Sequence, residues 1–122
     1  MRVGDHVEIV RTYSMADGAA WAELAGLAAG ATRHVPEPMI AALFSYLLGV
    51  RLPGPGTNYL KQEMTFLAPV RWDMALTASV KVTQLRPEKN LVDLATVCAQ
   101  DGDAIVCSGR ALVLLRAPPQ PS

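Results

Sequence analysis

The sequence predicts an α+β fold in a single domain, an antiparallel sheet wrapped around a central apolar helix. Three observations carry that prediction. The stretch from Met39 to Leu48 is apolar on almost every face; the second half of the chain is a succession of alternating segments separated by turn residues; and 122 residues is the length of one compact domain. A chain of this size buries about two thirds of its unfolded surface, enough for a real core.

Taken in order, His6 to Tyr13 read as a short strand. Asp17 to Leu27 read as a helix, because Ala20, Trp21, Leu24 and Leu27 recur at helical spacing. Ser14, three residues before Asp17, supplies a capping box, and Trp21 is expected to pack the helix onto the sheet. A second helix is expected to begin near Pro38, which suits the first helical position, and to stop at Gly49. It is too short to span a bilayer, so a helix this apolar has to be wrapped by protein. Four strands follow at Asn58 to Leu67, Ala75 to Arg86, Leu91 to Gln100 and Ala104 to Arg116. They are broken by Ala68-Pro69, by Arg86 to Asn90 and by Asp101-Gly102-Asp103. Along the second of them Leu76, Ala78, Val80 and Val82 face one way and Thr77, Ser79, Lys81 and Thr83 the other. Short connections are expected to make consecutive strands antiparallel neighbours. A strand, a helix, an apolar helix and a long antiparallel meander together describe the hot-dog architecture over residues 1–116. The Pro-rich tail from Ala117 to Ser122 is expected to be disordered.

Composition narrows the function. Eleven basic and eleven acidic residues balance, without the basic excess that a phosphate backbone demands, so no nucleic acid partner is expected. No apolar run reaches membrane-spanning length and the amino terminus lacks the apolar core of a signal peptide, which points to a cytoplasmic protein with no membrane partner. Cys98 and Cys107 fall on neighbouring strands, opposite each other only if the turn centres on Gly102-Asp103. In a reducing compartment they read as free, core-packed thiols. With His6 and His34 the only imidazoles, no metal is expected.

The segment Leu52-Pro53-Gly54-Pro55-Gly56-Thr57-Asn58-Tyr59-Leu60-Lys61-Gln62-Glu63-Met64-Thr65-Phe66-Leu67-Ala68-Pro69-Val70 closely resembles the "LPGxGxxYxxQxxxFxxPV" stretch of MaoC-like (R)-specific enoyl-CoA hydratases. "WAELAG" is similar to that family's first helix, "ALFSYLLG" to its central helix and "VKVTQLRPEKNLVDLATVC" to the hairpin that follows. The resemblance implies addition of water across a trans-2-enoyl thioester, with coenzyme A present only as part of the substrate and no separate cofactor. Such chemistry needs an acid/base pair to activate water and an amide N–H to stabilise the thioester oxygen. In the family these come from an Asp and a His in a "D-x-N-P-x-H" loop and from the Gly of an "H-G-M" opening the central helix.

This chain departs from the pattern at both places. After Leu24-Ala25-Gly26 it reads Leu27-Ala28-Ala29-Gly30-Ala31, with no Asp and no Asn-Pro-x-His. The loop is shorter than the family's by roughly a dozen residues, loops being where length varies most. Where the family has Val-His-Gly-Met, this chain has Val35-Pro36-Glu37-Pro38, so Glu37 replaces the Gly.

His34 and Glu37 are the candidates for catalysis, since a partly buried carboxylate with a raised pKa can activate water against a thioester. The alternative is a loop histidine and a helix-start carboxylate favoured by the macrodipole. By resemblance Ser45 and Leu48 line the acyl pocket and Tyr59 and Gln62 contact substrate, against a plain reading of each as core or sheet structure. Arg33, Arg51 and Lys61 are the cations available for coenzyme A phosphates, unless they are ordinary solvated charges. Two functions survive. In one, the chain binds acyl thioesters, on coenzyme A or acyl carrier protein, as a dimer or beside a catalytic hot-dog subunit of a hydratase or dehydratase. In the other it is an enzyme itself, a thioesterase or hydratase using Glu37 and His34.

Overall fold

The computed structural model describes residues 1–24, 34–102 and 104–115. Its elements are β1 (His6–Thr12), α1 (Met15–Leu24), α2 (Glu37–Tyr46), a π turn (Leu47–Arg51), β2 (Thr57–Phe66), β3 (Ala75–Arg86), β4 (Leu91–Gln100) and β5 (Ala104–Leu115). The expected continuation of the first helix to Leu27 and the tail after Leu115 lie outside the described residues.

Local sequence accounts for the helix starts. Ser14 and Asp17 form the reciprocal capping box: the Ser14 amide donates to Asp17 Oδ2 at 2.7 Å and the Asp17 amide to Ser14 Oγ at 3.1 Å. Pro36 sits extended just before α2, and Pro38 occupies its first turn. Gly49 does not end this helix. The chain winds on through a wider turn, closed by the Leu52 amide donating to Leu47 O at 2.8 Å. What stops it is Pro53, which forces the residue before it out of helical torsions; Leu52 is extended, at φ −156°.

The five strands form one antiparallel sheet in the order β1-β3-β4-β5-β2. The consecutive-neighbour expectation holds for β3, β4 and β5 but not for β2, which pairs with β5 on the far edge. Residues 67–74 carry the chain from there across to β3, a connection too long for a tight hairpin. Leu76, Ala78, Val80 and Val82 all face the core at 0% exposure, as do Ile40, Phe44, Leu47 and Leu48 from the helical segment. Among the described residues, the helix is covered from its sheet side. Ala42 and Ser45 are exposed, and Tyr46 is 43% exposed.

Cys98 and Cys107 are register partners, both buried and unpaired. The turn does not place them so, because Gln100 pairs with Ala104; an irregularity in the ladder beside Cys98 shifts the register by one and brings the thiols opposite. Trp72 packs tightly against α1. A Cβ on Gly18 would lie 2.7 Å from the Trp72 ring, whereas Trp21 borders a surface groove with Tyr13 and Met39. Among the described residues no helix is long and apolar enough to cross a membrane.

Candidate functional site

Two segments distant in sequence meet at the start of α2. The Val35 amide donates to Val70 O at 2.8 Å, laying the residues before α2 against those after β2. Gln100 fixes the second segment from below: its Nε2 donates to Pro69 O at 3.2 Å and its Oε1 accepts from the Arg71 amide at 3.1 Å. The Tyr13 hydroxyl donates to Met39 O at 3.3 Å, tying α2 to the end of β1.

Between these segments opens a cleft of about 420 Å³. Its floor is apolar, built of Val35, Ile40, Phe66 and Val70, with Ile40 at 0% and Val70 at 2% exposure. His34 and Glu37, both exposed, stand at its rim. The site thus offers one imidazole and one carboxylate above a hydrophobic bed, the composition of a small-molecule pocket that holds an apolar group and orients a polar one.

The helix start is a poor anion site. Pro36 and Pro38 have no N–H, and the Met39 amide is taken by Pro36 O at 3.0 Å. From Pro36 to Met39 only the Glu37 amide is left for an oxyanion, and its own side chain carries a negative charge there. That charge reaches the sheet beneath: burial first, and then the Glu37 carboxylate, push the Cys107 thiol up from its ordinary value.

The other expected site residues fall elsewhere. Ser45 and Tyr59 share a side-chain hydrogen bond at the opposite end of α2; burial pushes the Tyr59 phenol up while the bond to Ser45 pulls the other way. Gln62 lies on the inner face of β2, opposite buried Ala111, with its Nε2 buried and without a hydrogen-bond partner. Leu48 is fully buried core. The structure therefore gathers His34 with Glu37, and Ser45 with Tyr59, at two ends of one helix. Lys61 turns to the outer face and pairs with Glu63 at 3.2 Å. Neither Lys61 nor Arg51 borders the cleft, and Arg33 lies outside the described residues, as does the loop from Ala25 onward in which the acid/base residues are missing. Phe66, Pro69 and Val70 belong to the family-like signature and also form the cleft wall. The available signal was the apolar run that continues past the end of a strand. No group of three or more metal-ligating side chains occurs among the described residues.

No family model matches the chain. It is 34% identical over 128 residues to an (R)-specific enoyl-CoA hydratase of Aeromonas caviae, covering 94% of this chain and 96% of that protein. It is 42% identical over 86 residues to an (R)-specific enoyl-CoA hydratase of Rhodospirillum rubrum, a match over 70% of this chain that spans only 59% of the relative's length. Among solved structures, the (R)-hydratase from A. caviae involved in PHA biosynthesis superimposes with a TM-score of 0.84 at 33% identity, over 95% of this chain and 98% of the other.

Proposed function

The chain belongs to the MaoC-like (R)-specific enoyl-CoA hydratase family, and on that premise we propose that it binds acyl thioesters without a hydratase dyad of its own, as a non-catalytic subunit beside a catalytic hot-dog chain. One observation carries this reading. From Leu24 to Val35 there is no Asp and no Asn-Pro-x-His, and His34 is the sole imidazole. Hydration of an enoyl thioester needs a base for water and an acid for the α-carbon, and that segment supplies no such pair. The A. caviae alignment runs to 128 positions, more than the 122 residues of this chain, so that relative carries positions with no counterpart here. Glu37 at the helix start adds a carboxylate where negative charge would develop on the thioester oxygen, which disfavours the hydration transition state.

Binding survives these losses. The apolar floor of Ile40, Phe66 and Val70 suits a short acyl group, carried on coenzyme A or acyl carrier protein. The outer side of β2, with Leu60 53% exposed, is an unpaired sheet edge, the place for a second hot-dog chain to add its own strand.

A second reading rests on His34 and Glu37 sharing the cleft. Glu37 would take a proton from water as the oxygen adds to the thioester carbonyl, and collapse of the adduct would expel the thiolate, making the chain a thioesterase. Crotonyl-coenzyme A separates the two. The binding reading expects no loss of enoyl absorbance and no thiol, with a raised melting temperature. Enoyl loss without thiol overturns it in favour of a hydratase; free thiol, abolished by Glu37→Gln, overturns it in favour of a thioesterase.

A further inference from the structure

The hairpin of β4 and β5 carries one extra residue, and its position decides where two thiols point. Next to the Asp101-Gly102 turn the ladder sets Gln100 opposite Ala104 and Ala99 opposite Ile105. Continued without interruption, it would set Cys98 opposite Val106 and turn Cys107, opposite Val97, to the outer face. Instead Val106 is passed over, and Cys107 takes the place opposite Cys98. The bulge re-aims one side chain, so that both thiols lie at 0% exposure on the same inner face.

Residues directly opposite on antiparallel strands have Cα atoms about 4.5–5.5 Å apart, within the range of about 4.4–6.8 Å that a disulfide spans. The two are the whole cysteine complement of the chain, and both are free. Their neighbours support the cleft. On its other side Cys107 pairs with Phe66 of the cleft floor, and the amide of Leu67, also on the cleft, donates to Val106 O at 2.8 Å. Two residues beyond Cys98, the Gln100 side chain holds Pro69 and Arg71. The thiols meet only three pairs from the turn, at an end of the ladder, and ladder ends open more readily than sheet centres.

We propose that Cys98 and Cys107 are a modification site, a dithiol that closes to a disulfide in the folded protein and ties β4 to β5 beneath the cleft. The oxidant is a low-molecular-weight disulfide. One cysteine thiolate attacks it and expels a first small thiol, leaving a mixed disulfide. The other cysteine thiolate then attacks the protein sulfur of that bond and expels the second small thiol. The cysteines lose two electrons and two protons, which the small disulfide gains as its two thiols. Burial raises the pKa of both thiols, so closure is slow at neutral pH and quickens in alkali. The proposal does not depend on the acyl-thioester reading.

The test exposes the folded protein to 2-hydroxyethyl disulfide at about pH 8.5, near the pKa of an ordinary cysteine. Thiols are counted after denaturation and the intact mass is measured. Both thiols should be lost together, with the mass lower by two hydrogens and no cross-linked dimer, and dithiothreitol should restore both. The closed form should melt about 5 °C or more above the open form. Cys98→Ala should show neither the two-hydrogen loss nor the rise in melting temperature; should it not fold, Cys107→Ala serves in its place. Thiols that react only when urea is added overturn the proposal, as do mixed disulfides or cross-linked dimers in place of the two-hydrogen loss. A closed form that melts below the open one overturns it too, since the native sheet would then oppose closure.

Discussion

Ser45, in the last turn of α2, and Tyr59, near the start of β2, are joined by a side-chain hydrogen bond that pins the helix end to the edge strand. Tyr59 is 39% exposed, so the bond competes with water and its net worth is modest. Tyr59→Phe and Ser45→Ala should each cost about 0.5–1 kcal/mol in urea unfolding. The double variant should cost no more than either alone; costs that add would show that the two hydroxyls act independently.

Ala68 borders the cleft from the segment after β2 and is only partly buried. Ala68→Trp should fill the cleft, abolishing the rise in melting temperature that crotonyl-coenzyme A gives the native protein while leaving the unliganded melting temperature within a few degrees. An undiminished rise would move the binding site away from the Ile40–Phe66 floor.

Gly109 on β5 pairs with Met64 on β2, and a Cβ there would run into the Glu63 backbone. No rotamer change relieves a backbone contact. Gly109→Ala should cost about 3 kcal/mol or more, or prevent folding. Gly49→Ala, at a position with nothing near a new Cβ, should be nearly neutral by thermal unfolding.

Burial, and next the neighbouring Cys107, raise the Cys98 thiol from 9.0 to about 11. A folded-state pKa above the unfolded one means that stability is intact below about pH 9 and is lost as pH rises through about 11. The loss from this group should be roughly 2–3 kcal/mol. Cys107, Tyr13 and Tyr59 are raised as well and add in the same direction. Urea unfolding at pH 8 and pH 11 should show the fall, and Cys98→Ala should make it shallower.

Much of the fold was legible because it is written locally. The Ser14–Asp17 capping box, the alternation from Leu76 to Val82 and the strands around the Asp101-Gly102 turn need only neighbours within a few residues to be read. The place of β2 was not, because a strand's own residues name its inner face but not its partner, and Thr57 finds Leu115 across the whole meander. Gly49 misled because glycine permits a helix stop without compelling one, whereas Pro53 compels it. The site was half legible. His34 and Glu37 were readable as a pair from their spacing, but the wall opposite depends on the Val35–Val70 hydrogen bond, which no periodicity announces. Lys61 was a candidate by charge alone; its register puts it on the other face of the sheet from Gln62.

The strand order also governs how the molecule is made. With β1 paired to β3 and β2 to β5, no two strands of the first half touch each other. A chain growing from the ribosome has no ladder to close until β3 has emerged to meet β1, and β2 then waits for β5, the last strand to be made. Throughout that interval the segment from Ile40 to Leu48, fully buried at Ile40, Phe44, Leu47 and Leu48 in the finished protein, has no sheet to lie on. It is the stretch of the nascent chain with the greatest need of a chaperone.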